Sequence, residues 1–444
     1  MSGLLSMTGF PTVAAPADEQ VAPSSLARFG EALQPGVMGP RLATLTGAAT
    51  TACHVLDAKF EPGIRAIVLY ELAGSMLRGD LLPTSEPAAS DSHTSVVPPG
   101  LCLHLFPADP QLPALPRVVD PAHLGPALSR ELGLHGGART GPRTARCRIT
   151  VLRYRPGKRA TVLVAYAGGG RYIAKAYHDP AKGAAVAQES VALVAACTAT
   201  SALRLAPTLA HLSDLAVVVQ GPVAGTPLDV LLGGPHGPAR AAHAAVRRTA
   251  RALAEFHEAT AVGIARQRSV DGELRRFGER AARIGTVAPQ LGAFLAELGD
   301  RLVATQACLP ASRLGHVHGD CKPSQFLFTD QYVCLMDLDH VGLSDQAGDV
   351  GTFLASLRHL AVRRTLKGAR GDAVGELGEL SRLFLEAYEE TRGADSQRPR
   401  ARWHEAVALE RKALRAFARA PASPLAGALA AQAHRCLDEL VEET

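Results

Sequence analysis

Apolar and polar positions alternate at a period of two in several short runs between residues 50 and 220. From about residue 240 onward they recur mainly at three- and four-residue spacing. A period of two marks half-buried strands and a period near 3.6 marks amphipathic helices. The pattern predicts strands over 148–154, 160–166 and 171–177, a helix over about 181–197, and a hairpin over 209–211 and 215–220. Helices are expected over 238–260, 272–284 and 288–308. In the first of these Val246, Ala250, Leu253 and Phe256 share one face and arginines lie opposite. Two short apolar strands, 326–328 and 332–336, interrupt this helical half. Four more helices fit 351–366, 373–391, 403–420 and 426–442, with Leu380, Phe384 and Tyr388 on one face of the second. Residues 1–45 are rich in Pro, Ala, Gly and Ser without a sustained period, which predicts a loose arm with some surface packing.

One pattern occurs twice. Residues 53–74 align without gaps to 147–168, with 9 of 22 positions identical. Each copy reads as strand, Pro-Gly turn, strand, and each later reaches Asp-Pro (Asp109-Pro110 and Asp179-Pro180). The first copy carries an expanded polar turn over 83–100. Its expected third strand, 101–106, lacks the lysine of the second copy, Lys175. Chance similarity of two hairpins is the competing explanation.

Composition sets limits on these elements. A chain of 444 residues has room for two or three domains. Its 47 basic and 42 acidic residues leave a net charge of +5, too mild to imply a nucleic-acid partner. Eight scattered cysteines without a Cys-x-x-Cys pair argue against a zinc site or a disulfide framework, and fit a reducing cytoplasm. The first residues lack the basic start and apolar run of a signal peptide, and no run approaches about 18 apolar residues, so no membrane association is expected.

The chemistry concentrates in Gly315-His-Val-His-Gly-Asp-Cys-Lys-Pro-Ser-Gln325 and Leu335-Met-Asp-Leu-Asp339. Short strands would carry Asp320, Lys322, Gln325 and Asp337 to one small volume. Two acids, a cation and an amide suit a metal-bound phosphate better than a protein core. His318-Gly319-Asp320, Gln325 and Asp337 match the spacing of the protein-kinase catalytic loop and its downstream metal-binding aspartate. The glycine at 319 and the run Ser344-Asp-Gln-Ala-Gly-Asp349 resemble the aminoglycoside phosphotransferase and choline kinase branch of that superfamily.

The resemblance implies a two-lobed α+β fold: an antiparallel sheet with a helix in the N-lobe, and a mostly helical C-lobe. It divides the chain into an arm (1–45), a degenerate N-lobe-like repeat (46–140) packed on the working copy, the N-lobe (141–222) and the C-lobe (223–444). It also implies ATP and Mg2+. Asp320 would be the catalytic base that aligns the acceptor hydroxyl, and Lys322 a γ-phosphate contact or a solvated loop residue. Asp337 would bind metal. Gln325 stands where the family has Asn, so it could ligate only with a shifted rotamer. Lys175 would pair with the α- and β-phosphates and with Glu189 on the following helix.

No glycine-rich phosphate loop is present. The turn Arg155-Pro-Gly-Lys-Arg159 offers basic side chains instead, although Arg65 stands at the place of Arg159 in the repeat. Adenine would lie against backbone from Gln220 to Val223, where Pro222 removes one donor. His318, Asp345 and Asp349 would brace the loop, Asp349 also being suited to cap the next helix. His316 and His340 would be solvated or packed. The basic run over 392–419, interleaved with acids only at Asp395, Glu405 and Glu410, reads as a solvated helix face or an anion-binding surface. The expected activity is transfer of the γ-phosphate of ATP to a small-molecule hydroxyl (sugar, amino alcohol or aminoglycoside-like). The alternative is a non-catalytic nucleotide- or metabolite-binding pseudokinase. A protein kinase is disfavoured because no Ala-Pro-Glu anchor follows Asp337. Asp339 and Asp345 would suit a cationic acceptor, yet a sugar is equally compatible.

Overall fold

The computed structural model describes residues 24–82, 95–134, 146–197, 202–233, 239–259, 263–264, 266–368, 372–393 and 397–443. Residues 1–23 of the expected arm, 83–94 of the expanded turn and Asp395 lie outside these. The rest of the expected arm is two helices, α1 (Ser25–Ala32) and α2 (Pro35–Thr46). Ser24 caps the first through the Ala27 amide, and Pro35 opens the second. The arm's weak periodicity hid a tight contact: Phe29, Met38 and Leu42 are fully buried.

They pack on a five-stranded antiparallel sheet, in spatial order β1-β2-β3-β5-β4, made of β1 (Cys53–Glu61), β2 (Arg65–Leu72), β3 (Ser75–Leu81), β4 (Ser95–Val97) and β5 (Leu101–Leu105). The expected third strand over 101–106 is therefore fourth in sheet order, because Ser75–Leu81 pairs directly with β2. A tight turn at Ala73-Gly74, both with positive φ, lets the chain reverse there at once. Helices α3 (Leu115–Val119) and α4 (Pro121–Glu131) lead out of this unit.

The second sheet orders β6 (Cys147–Arg155), β7 (Arg159–Tyr166) and β8 (Arg171–Tyr177) with a later hairpin. After β8 come α5 (Pro180–Cys197), the short β9 (Leu203–Leu205), and that hairpin, β10 (Thr208–Leu212) and β11 (Val217–Gln220), the latter on β8. The two sheets share their hairpin register: Glu61 faces Arg65 as Arg155 faces Arg159. Ile67 faces Asp80 as Thr161, 94 residues later, faces Lys175, so the repeat carries an acid where the second sheet carries its lysine.

The helical half contains β12 (Thr226–Pro227), α6 (Leu228–Gly233), α7 (Ala239–Glu258), α8 (Val270–Gly285) and α9 (Pro289–Gln306). Four short strands follow, β13 (Leu314–Val317), β14 (Phe326–Phe328), β15 (Val333–Leu335) and β16 (Gly342–Asp345). Helices α10 (Ala347–Leu366), α11 (Asp372–Arg392), α12 (Arg398–Arg419) and α13 (Leu425–Glu443) close the chain.

The cores show how the parts join. Valines of the second sheet (Val162, Val164, Val217, Val219) are buried against α3 and α4 through Val118, Leu124 and Leu128. The first sheet shares only a small cluster with the second, around Leu69, Leu112, Leu115, Tyr154 and Ala160. Its larger apolar face joins α1, α2, α8, α9, α12 and α13 in one core, where Phe60 stacks on Phe29 at 4.9 Å and meets Phe417 of α12 at 6.2 Å. The expectation was packing on the working copy, and that contact is the smaller of two. The first sheet instead bridges both lobes, because aromatic side chains on β1 and α12 bury more apolar area than the small contact beside Tyr154.

Candidate active site

The loop after β13 is held from three sides. Gly319 has φ +76°, and a Cβ there would stand 2.3 Å from the His340 carbonyl oxygen, so the turn requires glycine. The carboxylate of Asp349, in the first turn of α10, accepts from the His318 amide at 2.5 Å and the Gly319 amide at 2.8 Å. A 3.1 Å contact with His257 Nε2 completes its set, and His257 Nδ1 meets the Tyr388 hydroxyl at 2.7 Å. The His318 ring spans the loop between the Met336 carbonyl, 2.7 Å from Nε2, and the Asp320 amide, 3.3 Å from Nδ1. A neutral ring with its proton on Nε2 satisfies both contacts. Asp349 and His318 thus brace the loop as expected.

Asp345 differs from its expected bracing role. It pairs with Arg400 and His404 of α12 and accepts from the Ala347 amide, the first of α10, at 3.1 Å. His316 is buried on the Phe256 carbonyl rather than solvated.

Asp320 follows Gly319 directly, and its carboxylate is in close contact with the Lys322 ammonium. Burial raises its pKa, but Lys322 outweighs burial and brings it down to about 2, so Asp320 is an acceptor-only carboxylate at neutral pH. Burial holds the neighbouring His340 neutral, with a pKa lowered to about 3. Lys322, expected as a γ-phosphate contact or a solvated loop residue, pairs with Asp320.

Asp337, two residues beyond β15, lies in the left-handed region, φ +62° and ψ +54°. That conformation is costly for a non-glycine residue and concentrates at functional sites. Lys175 Nζ lies 2.7 Å from Asp337 Oδ1 and 2.9 Å from Asp339 Oδ1, and Arg159 reaches both carboxylates, 3.6 Å from Asp337. Burial opposes the charge of Asp337, but Lys175 and Arg159 hold its carboxyl far below the usual range. The Gln325 side-chain amide is 3.3 Å from Asp337 Oδ2.

The Lys175–Glu189 pair is not formed. Glu189 is engaged by Arg266, which also donates to the Asp339 carbonyl at 2.9 Å. Two C-lobe carboxylates therefore outcompete one N-lobe carboxylate for Lys175. At the lobe junction Gln220 ends β11 buried, its amide nitrogen without a partner, while Val223 is half-buried in an irregular stretch. The Gly221 amide is taken by the Pro207 carbonyl at 2.9 Å.

The structure brings together Lys175, Arg159, Asp337, Gln325, Asp320 and Lys322. It adds residues that sequence reasoning missed: Arg266, Arg268, and the Lys412 and Arg415 pair within electrostatic reach of Asp320. The only sequence signal for the last two was the basic run over 392–419.

The profile of the APH phosphotransferase enzyme family matches residues 151–385, more than half of the chain. This protein is a member of that family. The match spans both lobes and leaves the first sheet outside. Solved structures with similar folds include a choline/ethanolamine kinase family protein from Mesorhizobium loti (16% identity, 71% of this chain and 95% of that one, TM-score 0.44). Others are a choline kinase from Cryptosporidium parvum (11% identity, 71% and 97%, TM-score 0.49) and a macrolide 2'-phosphotransferase from Brachybacterium faecium (19% identity, 68% and 97%, TM-score 0.43). No curated protein matches the sequence significantly. Among the described residues no helix is long and apolar enough to cross a membrane.

Proposed function

We propose that this family member transfers the γ-phosphoryl group of ATP to a hydroxyl of a small molecule. The observation that carries the reading is Asp320, an ionised carboxylate on a loop fixed by Asp349, one short strand pair before Asp337, which itself pairs with Lys175. Asp320 would accept the hydrogen bond of the acceptor hydroxyl and aim its oxygen in line. The bond from that oxygen to the γ-phosphorus forms as the bond to the ADP oxygen breaks, and the hydroxyl proton passes to Asp320 late. Lys175 and Arg159 would move from Asp337 and Asp339 to the phosphates, and Lys322 from Asp320 to the γ-phosphate.

The donor set fits magnesium, which takes few protein oxygens beside phosphates and water. Asp337 would hold it, with the Gln325 carbonyl if that amide turns. Bound there, the ion would neutralise charge on the phosphate oxygens. Gln220 to Val223 would border the adenine.

The test is ADP release with panels of sugars, amino alcohols and aminoglycosides, comparing wild type with Asp320→Ala. Transfer that survives Asp320→Ala overturns the reading. A second reading, nucleotide binding without transfer, is favoured by one observation: Lys175 and Arg159 already close on Asp337 and Asp339. Magnesium-dependent ATP binding with no phosphorylated product from any panel would establish it.

A further inference from the structure

A cavity of about 420 Å³ opens beside the catalytic loop, between α8, α10 and α12, with Gly319 in its wall. Its acids are already matched. Glu273 is gripped by Arg411 through contacts of 2.6 and 3.1 Å, Asp345 by Arg400 and His404, and Asp349 by His257 and two loop amides. Beside the matched Arg411, two of its cations form no ion pair among the described residues. Arg268 spends its guanidinium on a backbone carbonyl, that of His340 at 2.8 Å, and Arg276 is exposed on the cavity rim. Neither forms an ion pair with a carboxylate among the described residues.

On α12, which supplies one wall of the cavity, Lys412 donates to the Ser356 hydroxyl at 3.1 Å, and neither it nor the exposed Arg415 one turn later forms an ion pair with a carboxylate among the described residues. Lys322, Arg411 and Arg415 all repel Lys412, and Asp320 attracts it. Arg268 and Lys412 are half-buried, and a partly desolvated cation without a paired carboxylate is costly unless an anion completes the set. The N-lobe supplies Lys175, Arg159 and Arg155 around Asp337, whereas Lys412 and Arg415 lie within electrostatic reach of Asp320.

We propose that the cavity beside Gly319 is the acceptor site and that it takes an anion, a hydroxyl compound carrying a phosphate or carboxylate held by Arg268, Arg276 and Lys412. The proposal rests on the phosphotransferase reading for the transfer step, but not for binding. An anion there would lie against α8 and α12 while its hydroxyl meets Asp320. Choline-like or aminoglycoside cations would meet the like charges of this cluster.

The experiment is calorimetry of the full chain without nucleotide, using pools of hexose phosphates, hexuronates, neutral hexoses and hexosamines. At least one anionic pool binds about tenfold or more tighter than its neutral and cationic counterparts, as expected for charge-assisted hydrogen bonds. Arg276→Gln and Lys412→Gln each weaken that binding about tenfold and change ATP affinity less than about twofold. Comparison of the phosphate and carboxylate pools identifies the oxyanion. Absence of binding by both anionic pools, or tighter binding of hexoses or hexosamines, overturns the proposal. ADP release with the same pools tests the other reading separately. Anion binding without transfer sinks the transfer and leaves the site, whereas transfer selective for neutral or cationic acceptors does the reverse.

Discussion

Asp109 Oδ2 accepts hydrogen bonds from the Gly157 amide and the Tyr154 hydroxyl, each at 2.7 Å, so the first sheet grips the basic turn of the second. Its other oxygen takes the Arg78 guanidinium at 2.6 Å, and both charges are almost fully buried. Gly157 has φ +66°, and a side chain there would collide with Gln111, itself a partner of Arg78. The turn that presents Arg155 and Arg159 is thus set by residues outside the family match. Asp109→Ala leaves Arg78 with Asp80 as its remaining carboxylate and frees the turn. A loss of about 3 kcal/mol in urea unfolding is expected, together with a several-fold rise in KM for ATP. The double change Asp109→Asn with Arg78→Met should recover much of the stability but not the KM.

In the free protein, with Lys322 beside it, Asp320 is ionised above about pH 2, so it is not the group behind any fall in kcat/KM between pH 4 and 7. Asp320→Asn should lower kcat by roughly 10²–10³ with little change in KM for ATP, since it removes alignment and the proton acceptor together. The sign for stability is fixed by the depressed pKa. Its contribution is present above the ordinary carboxylate value and is lost as pH falls toward 2. Steady-state kinetics over pH 4–9 and acid unfolding of both proteins check the two statements.

The longer strands and helices in 147–443 were legible because period-two and 3.6-residue patterns mark them, whereas the short β9, β12, α6, β13 and β16 were not; the loop's family resemblance was legible because its spacing is local. Long-range partners were not. Nothing local distinguishes Asp339 from Glu189 as the partner of Lys175, and the choice follows from where β15 ends and how Arg266 folds back. The first sheet read as a repeat, yet its bridge to α12 depends on Phe60 meeting Phe417, more than 350 residues apart in sequence. The basic run over 392–419 looked like one feature and is two. Arg400, Arg402 and Arg411 are consumed by Asp345, Glu405 and Glu273, and Lys412 and Arg415 are left facing Asp320.

Glu410 gives a prediction of opposite sign. It is fully buried and neither carboxylate oxygen has a hydrogen-bond partner. Burial, with a smaller push from Glu273, raises its pKa from 4.5 to about 8. Between those values the folded state holds a proton that the unfolded chain has released. Stability therefore falls as pH rises through that window, by up to about 1.4 kcal/mol per pH unit. Glu410→Gln should flatten that part of the curve, matching wild type near pH 5 and exceeding it by a few kcal/mol at pH 8. Urea unfolding at the two pH values checks it, and equal slopes would count against the buried acid.

Lys412 carries the pH dependence of the proposed acceptor site. Burial, with the repulsion of Arg415, Arg411 and Lys322, lowers its pKa to about 8 against the opposing pull of Asp320. His359, packed nearby on α10, is itself held neutral, with a pKa lowered to about 4, and contributes no charge at working pH. The lysine is charged below about pH 8 and loses its proton above it. With an anionic acceptor, kcat/KM should therefore be flat from about pH 6 to 7.5 and fall above 8, while KM for ATP stays level over the same range. Lys412→Arg keeps its charge throughout and should abolish the fall at high pH, whereas Lys412→Gln should be low and level at every pH. A fall that persists unchanged in Lys412→Arg would assign the titration to another group and remove Lys412 from the acceptor site.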